Sequence, residues 1–147
     1  MWVDLIYDRT DADIQEARVL RRTGRNIKQR LKGCYDYIDR NRVGNAVNQI
    51  AAWMNDNGYR TSAQGVVNWT KRCLATRARS FKMLQAVDVL RRDFVTFCSS
   101  PSLPLTLDRM DFNDANDIER LLFDLQIMIS WVEKNRVRHF GDLEYFE

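Results

Sequence analysis

The sequence predicts an all-α protein: a single domain, 1–147, folded as an irregular four-helix bundle in which one helix-start cassette is used twice. Three observations carry this. Apolar residues recur at a period near 3.6 rather than 2. Six Gly and two Pro in 147 residues are too few for a turn-rich all-β chain. The stretch DYIDRNRVGNAVNQI, residues 36–50, returns seventy-five positions later as DFNDANDIERLLFDL, residues 111–125. Both fit D-aromatic-x-D-x-N-x-[VI]-x-x-x-[VL]-x-x-[IL].

The elements follow in order. Residues 1–9 form an apolar, extended lead-in. Thr10 caps a first helix with Asp13 three residues on, an approximate capping box. Ile14, Ala17, Leu20, Ile27 and Leu31 give that helix its face over 10–32. Gly24 is a point of kinking, and Gly33 is the C-terminal stop. The first cassette opens a second helix over 36–57, with Val43, Val47, Ile50 and Met54 inward and Gly58 as the residue after its C-cap. A loop around 60–68 leads to a third helix over 70–98. Its stripe is Met83, Val87, Leu90, Phe94 and Phe97, and Pro101 and Pro104 end it. The second cassette opens a fourth helix over 113–135, capped by Asp111 or Asn113, with Ile118, Leu122, Leu125, Ile129 and Val132 inward. Residues 136–147 form a C-terminal tail, whose closing FGDLEYFE is too short to be an element on its own. Short connections between four helices make a bundle the default.

The cassette admits two readings. Asp36 and Asp39, like Asp111 and Asp114, are spaced i, i+3 and could share a helix face as paired carboxylates. Neither copy has the alternating oxygen ligands and turn glycine of a calcium loop. As capping residues the same aspartates explain more. Asp36 and Asp111 accept from orphan backbone N–H groups, and Asp39 and Asp114 sit at the positive end of a helix dipole. Asn41 and Asn116 are left over by capping, since Asn is mildly unfavourable inside a helix. Each side-chain amide is placed to anchor a neighbouring loop by hydrogen bonds.

Composition limits the function classes. With 45% hydrophobic residues, four Trp, seven Phe and five Tyr, the chain can build a core and is not disordered. No apolar run approaches a membrane span, and the acidic start lacks a signal-peptide core, so cytoplasmic synthesis without a membrane partner is expected. Cys34, Cys73 and Cys98 form no CxxC pair, and the single His139 lies far from all three. No metal, cofactor or catalytic residue is therefore expected, and no enzyme.

Charge is uneven. Residues 1–105 hold 18 Lys and Arg against 10 Asp and Glu, whereas residues 106–147 hold 5 against 10. Arg18, Arg21, Arg22, Arg25, Lys28, Arg30 and Lys32 form a run without an acid, a candidate basic surface. A basic helical nucleic-acid-binding protein is accordingly the alternative reading. No aromatic interleaves with the run as a stacking platform requires.

The order of the motifs resembles small virion proteins of tailed bacteriophages and of phage-derived particles in Gram-positive bacteria. The matching pieces are WVDLIYDRTDAD, LKGCYDYIDRNRVGNAVNQIAAWM, the NDNGY stop, a later P-x-x-P before DFNDANDIERLL, and the closing FGDLEYFE. The last resembles the family's Y-S-G-E-x-x-x-G-E ending without its glycines. The basic stretch RVLRRTGRNIKQRLKG departs from the family pattern. The resemblance implies a non-enzymatic virion component at the tail end, near baseplate or fibre, assembled in the bacterial host cytoplasm. Its partners would be other virion or tail proteins and further copies of itself in a symmetric assembly. Trp2, Tyr7, Phe140, Tyr145 and Phe146 are the candidate interface anchors, because buried aromatics dominate interface hot spots.

Overall fold

The computed structural model describes residues 2–23, 31–74 and 76–144, without the side chains of residues 23 and 137–144. Four helices make up the fold: α1 (Asp11–Thr23), α2 (Tyr37–Asp56), α3 (Arg77–Asp93) and α4 (Phe112–Glu144). No strand occurs among the described residues. None of the helices is long and apolar enough to cross a membrane, again among the described residues.

Contacts along the helices set their directions. Arg42 of α2 meets Glu119 of α4, and Trp53, further along α2, donates to Glu133, further along α4. The two cassette helices therefore run parallel. Helix α3 runs the same way. Arg79 near its start lies over Trp69, which is bonded to Asn41 early in α2, and Phe94 at its end packs on Trp53 and Tyr59. Parallel neighbours need a return segment as long as the helix itself. The expectation of short connections is corrected on this point. Residues 59–69 travel back along α2, bonding Asn48 at Gly65 and Asn41 at Trp69. Residues 97–108 travel back along α4, with Phe97 on Trp131, Ser100 on Asp124, and then Asp108 on Arg77. The lead-in does the same between α2 and α4. Val3 is held by Gln49 and Gln126, Ile6 by Glu119, and Arg9 by Asn116.

The core sits among α2, α3 and α4. Val43, Val47 and Ile50 from the first cassette and Ile118, Leu122 and Leu125 from the second are all buried in it. Met83, Val87, Leu90 and Phe94 supply the α3 face. Burying a side chain of this size contributes roughly 1.5–3 kcal/mol.

Several boundaries differ from the sequence expectation. Helix α1 is described as far as Thr23, the rest of its expected span, residues 24–30, lies outside the described residues, and Leu31 to Gly33 are non-helical. Gly33 is no left-handed stop: a Cβ there would lie 2.2 Å from the Asp13 carbonyl oxygen, so its role is close backbone approach to α1. Gly58, at φ +86, does end α2, and the Tyr59 N–H closes the motif on the Met54 carbonyl at 2.8 Å. Helix α3 is shorter than 70–98. Thr76 caps it, and it ends at Phe94, whose extended backbone turns the ring into the core, well before the prolines. Helix α4 is longer than 113–135: residues 136–144, expected as a tail, continue it to Glu144.

Candidate functional site

Both cassettes start their helices in the same way. The Asp36 side chain accepts from the Ile38 N–H, and Asp39 accepts from the Asp36 N–H at 2.9 Å. Asp111 accepts from the Asp114 N–H at 2.9 Å, and Asp114 accepts from the Asp111 N–H at 3.2 Å. Asn113 is exposed and Asp111 is the cap.

The asparagines five residues on are backbone clamps. Asn41 donates to the Trp69 carbonyl at 2.9 Å and accepts from the Trp69 N–H at 3.0 Å. Asn116 donates to the Arg9 carbonyl at 2.9 Å and accepts from the Arg9 N–H at 3.0 Å. A primary amide has one donor edge and one acceptor edge, so it can satisfy both backbone groups of one residue in a segment that has no ladder of its own. Each clamped residue is followed by Thr and, three positions later, by a side chain that the Thr hydroxyl contacts: Thr10 with Asp13, Thr70 with Cys73.

Where the two cassettes diverge, they complement each other. Position six after the first Asp is Arg42 in one copy and Asp117 in the other. Position eight is Gly44 in one and Glu119 in the other. Arg42 crosses from α2 to α4. Its Nε donates to Glu119 Oε1 at 2.6 Å, and its Nη2 donates to Glu119 Oε2 at 3.0 Å and to Asp39 Oδ1 at 2.6 Å. Arg9 enters from the lead-in, with Nη2 at 2.7 Å from Glu119 and 3.3 Å from Asp39. The Ile6 N–H donates to Glu119 as well. Two arginines and two carboxylates are thus locked together at 4% exposure for Arg9, 1% for Asp39 and 0% for Glu119. Burial opposes the charge on Arg42, but the hydrogen bonds and charges of Glu119 and Asp39 outweigh it and hold the guanidinium protonated more firmly than usual.

This arrangement restricts the chemistry. Both Glu119 oxygens accept two bonds each, and Asp39 has three of its acceptor positions engaged, so neither is free as a base or ligand. No group of three or more His, Cys, Asp or Glu among the described residues is placed to hold a metal ion. What the lock does is mechanical: it ties the lead-in, α2 and α4 at one point. Removing one partner of such a pair costs about 3–5 kcal/mol, because the other charge stays buried.

Around the lock runs a ladder of cations and rings. Arg9 lies 5.3 Å from the Tyr35 ring, Arg40 lies 5.7 Å from Tyr35 and 5.2 Å from Trp69, and Arg79 lies 4.3 Å from Trp69. It links the lead-in, the turn before α2, α2 itself, the return segment and α3. Burial first, and the charges of Glu119 and Asp39 second, push the Tyr35 hydroxyl well above its ordinary range.

The remaining candidates are scattered. Trp2 is half-buried against the core, and Tyr7 is half-buried on Phe123 at 4.7 Å with Arg120 over its ring. Both thus give part of their surface to their own fold. Phe140 lies on α4, with its side chain outside the described residues, as are Tyr145 and Phe146 entirely. Arg18, Arg21 and Arg22 are exposed on α1, Lys32 pairs with Asp8 at 2.8 Å, and Arg25, Lys28 and Arg30 lie outside the described residues. Cys73 was not singled out from the sequence. Hydrogen bonds from Thr70 first, and then from Arg79, pull its thiol down to about 7.

Sequence reasoning also missed Arg9, Arg42, Glu119 and Trp69. Two signals were available: the opposite charges at the diverged cassette positions, and the shared Thr after each clamped residue. Searches with the chain find no matching family model, no matching curated protein and no matching solved structure.

Proposed function

We propose that this chain is a non-enzymatic structural subunit of a phage or phage-like particle, at the tail end near baseplate or fibre. In this reading it is assembled in the bacterial host cytoplasm and acts through contacts with other virion proteins and with copies of itself. The observation that supports this reading most is where the motif residues go. Arg9 of WVDLIYDRTDAD, Asp39 and Arg42 of the first cassette, and Asn116 and Glu119 of the second all engage one another in a single buried lock. Residues from three of the pieces that carry the resemblance are therefore occupied with holding a scaffold, as suits a subunit whose work is to keep its surfaces in place.

The uneven charge supports the same reading, because unlike surfaces on one subunit build heterologous contacts, which close into rings when the rotation closes. The test is deletion of residues 140–147. The shortened chain is expected to melt as the full chain does and to be missing from purified particles by mass spectrometry. Normal incorporation would remove this segment from the assembly interface.

A further inference from the structure

The return segment 62–68 and helix α3 enclose an open groove of about 1050 Å³. Val66, Val67, Ala86 and Val89 form its apolar floor and walls, and Arg79 and Lys82 its cationic rim. No Asp or Glu lines it among the described residues. Arg79 is fixed in place: its Nη2 donates to Asn68 at 3.0 Å, and its guanidinium stacks over Trp69. Val67 is 44% exposed, and Lys82, Lys71 and Arg72 are exposed beside it. The other large groove, between α3 and residues 100–105, differs in charge. There Asp88 pairs with both Arg91 and Arg92, at 2.6 and 2.7 Å, and offsets one of their two charges.

We infer that the groove between residues 62–68 and α3 receives the acidic, aromatic segment 140–147 of a second copy of this chain. The chemistry matches on both counts. FGDLEYFE carries Asp142, Glu144 and Glu147 with no base, and Phe140, Leu143, Tyr145 and Phe146 as apolar groups. An apolar groove rimmed by Arg79 and Lys82, with no Asp or Glu in its lining among the described residues, complements such a segment.

Geometry requires the second copy. Arg136 bonds Asn57 at the C-terminal end of α2, and α4 continues in the same direction to Glu144. The eight residues from 136 to 144 carry the chain about 12 Å beyond that level. The groove lies on the other side of it: Gly65 is bonded to Asn48, nine residues before Asn57 and so about 13 Å back along α2. Residues 145–147 span at most about 11 Å when extended. The segment therefore passes out of reach of its own groove and is available to a neighbour's, a head-to-tail contact.

This partner rests on the assembly reading above, and the experiment separates the two. Sedimentation velocity of the full chain is expected to show concentration-dependent association that weakens as salt rises. Lys82→Glu is expected to weaken it at least roughly tenfold, since it sets like charges together. Val67→Asp on the facing wall is expected to do the same, and both variants should melt like the parent because both positions are exposed. Mixing Lys82→Glu with a chain carrying Asp142→Lys and Glu144→Lys should restore a mixed complex. Association unaffected by Lys82→Glu and Val67→Asp, or a chain that stays monomeric throughout, would overturn the docking. Short duplex DNA captured by the parent and lost with Lys82→Glu, without any effect on self-association, would give the groove to nucleic acid instead. Particle composition judges the assembly reading on its own, so a subunit that enters particles with this groove altered refutes only the groove.

Discussion

Replacing Asn116 or Asn41 by alanine isolates what the clamps contribute. Each substitution deletes two hydrogen bonds to the backbone of one residue, and Asn116→Ala also deletes the 3.4 Å bond from the Arg9 guanidinium. Two such bonds are worth roughly 1–3 kcal/mol net. Water cannot replace the lost partner well, because Arg9 is 4% exposed and Trp69 only 2%. A stranded buried N–H or C=O adds a desolvation cost of similar size, so about 2–4 kcal/mol is expected for each variant. For a chain of this length that lowers Tm by roughly 5–15 °C. Asn68→Ala is the control: its side chain is exposed and accepts one bond from Arg79, so a loss within about 0.5 kcal/mol is expected. Thermal melts of the three variants followed by circular dichroism decide the matter. Equal melting temperatures for all three would refute the clamps as stabilising devices.

Glu119→Ala removes the acceptor for Arg9, Arg42 and the Ile6 N–H together, and about 3–5 kcal/mol is expected in urea unfolding at unchanged m; a loss below about 1 kcal/mol would mean that the lock is not closed in solution. Gly44→Ala should destabilise although alanine favours helix, because its Cβ would lie 2.1 Å from the Val66 carbonyl oxygen. Overpacking of this kind costs about 1–3 kcal/mol, and a stabilised variant would refute the close approach. Cys73 should react with iodoacetamide along a titration centred at about 7, and Thr70→Val should move that midpoint upward. The lowered thiol contributes to stability fully above the ordinary thiol range and loses that contribution as pH falls through about 7. A midpoint unmoved by Thr70→Val would detach the hydroxyl from the thiol.

The sequence alone determined the class of the fold and the starts of its cassette helices. Those features are local: a period near 3.6 places Val43, Val47 and Ile50 on one stripe, and Asp36 and Asp111 cap the residues that follow them whatever lies beyond. It also marked Asn41 and Asn116 as residues that a helix does not want on its own account. It did not reveal what they hold, because Asn41 meets Trp69 and Asn116 meets Arg9 across 28 and 107 positions. Three outcomes belonged to the tertiary structure. Parallel α2, α3 and α4 forced long return segments where short connections had been expected. Phe94 ended α3 early, because its ring is worth more in the core against Trp53 and Tyr59 than on another helical turn. The charges of Arg9, Arg42, Asp39 and Glu119, ordinary surface residues by composition, became the most buried ionic group described. In each case the deciding energy comes from contacts between segments distant in the chain. Propensity and capping act within a few residues and carry no record of which segment will arrive alongside.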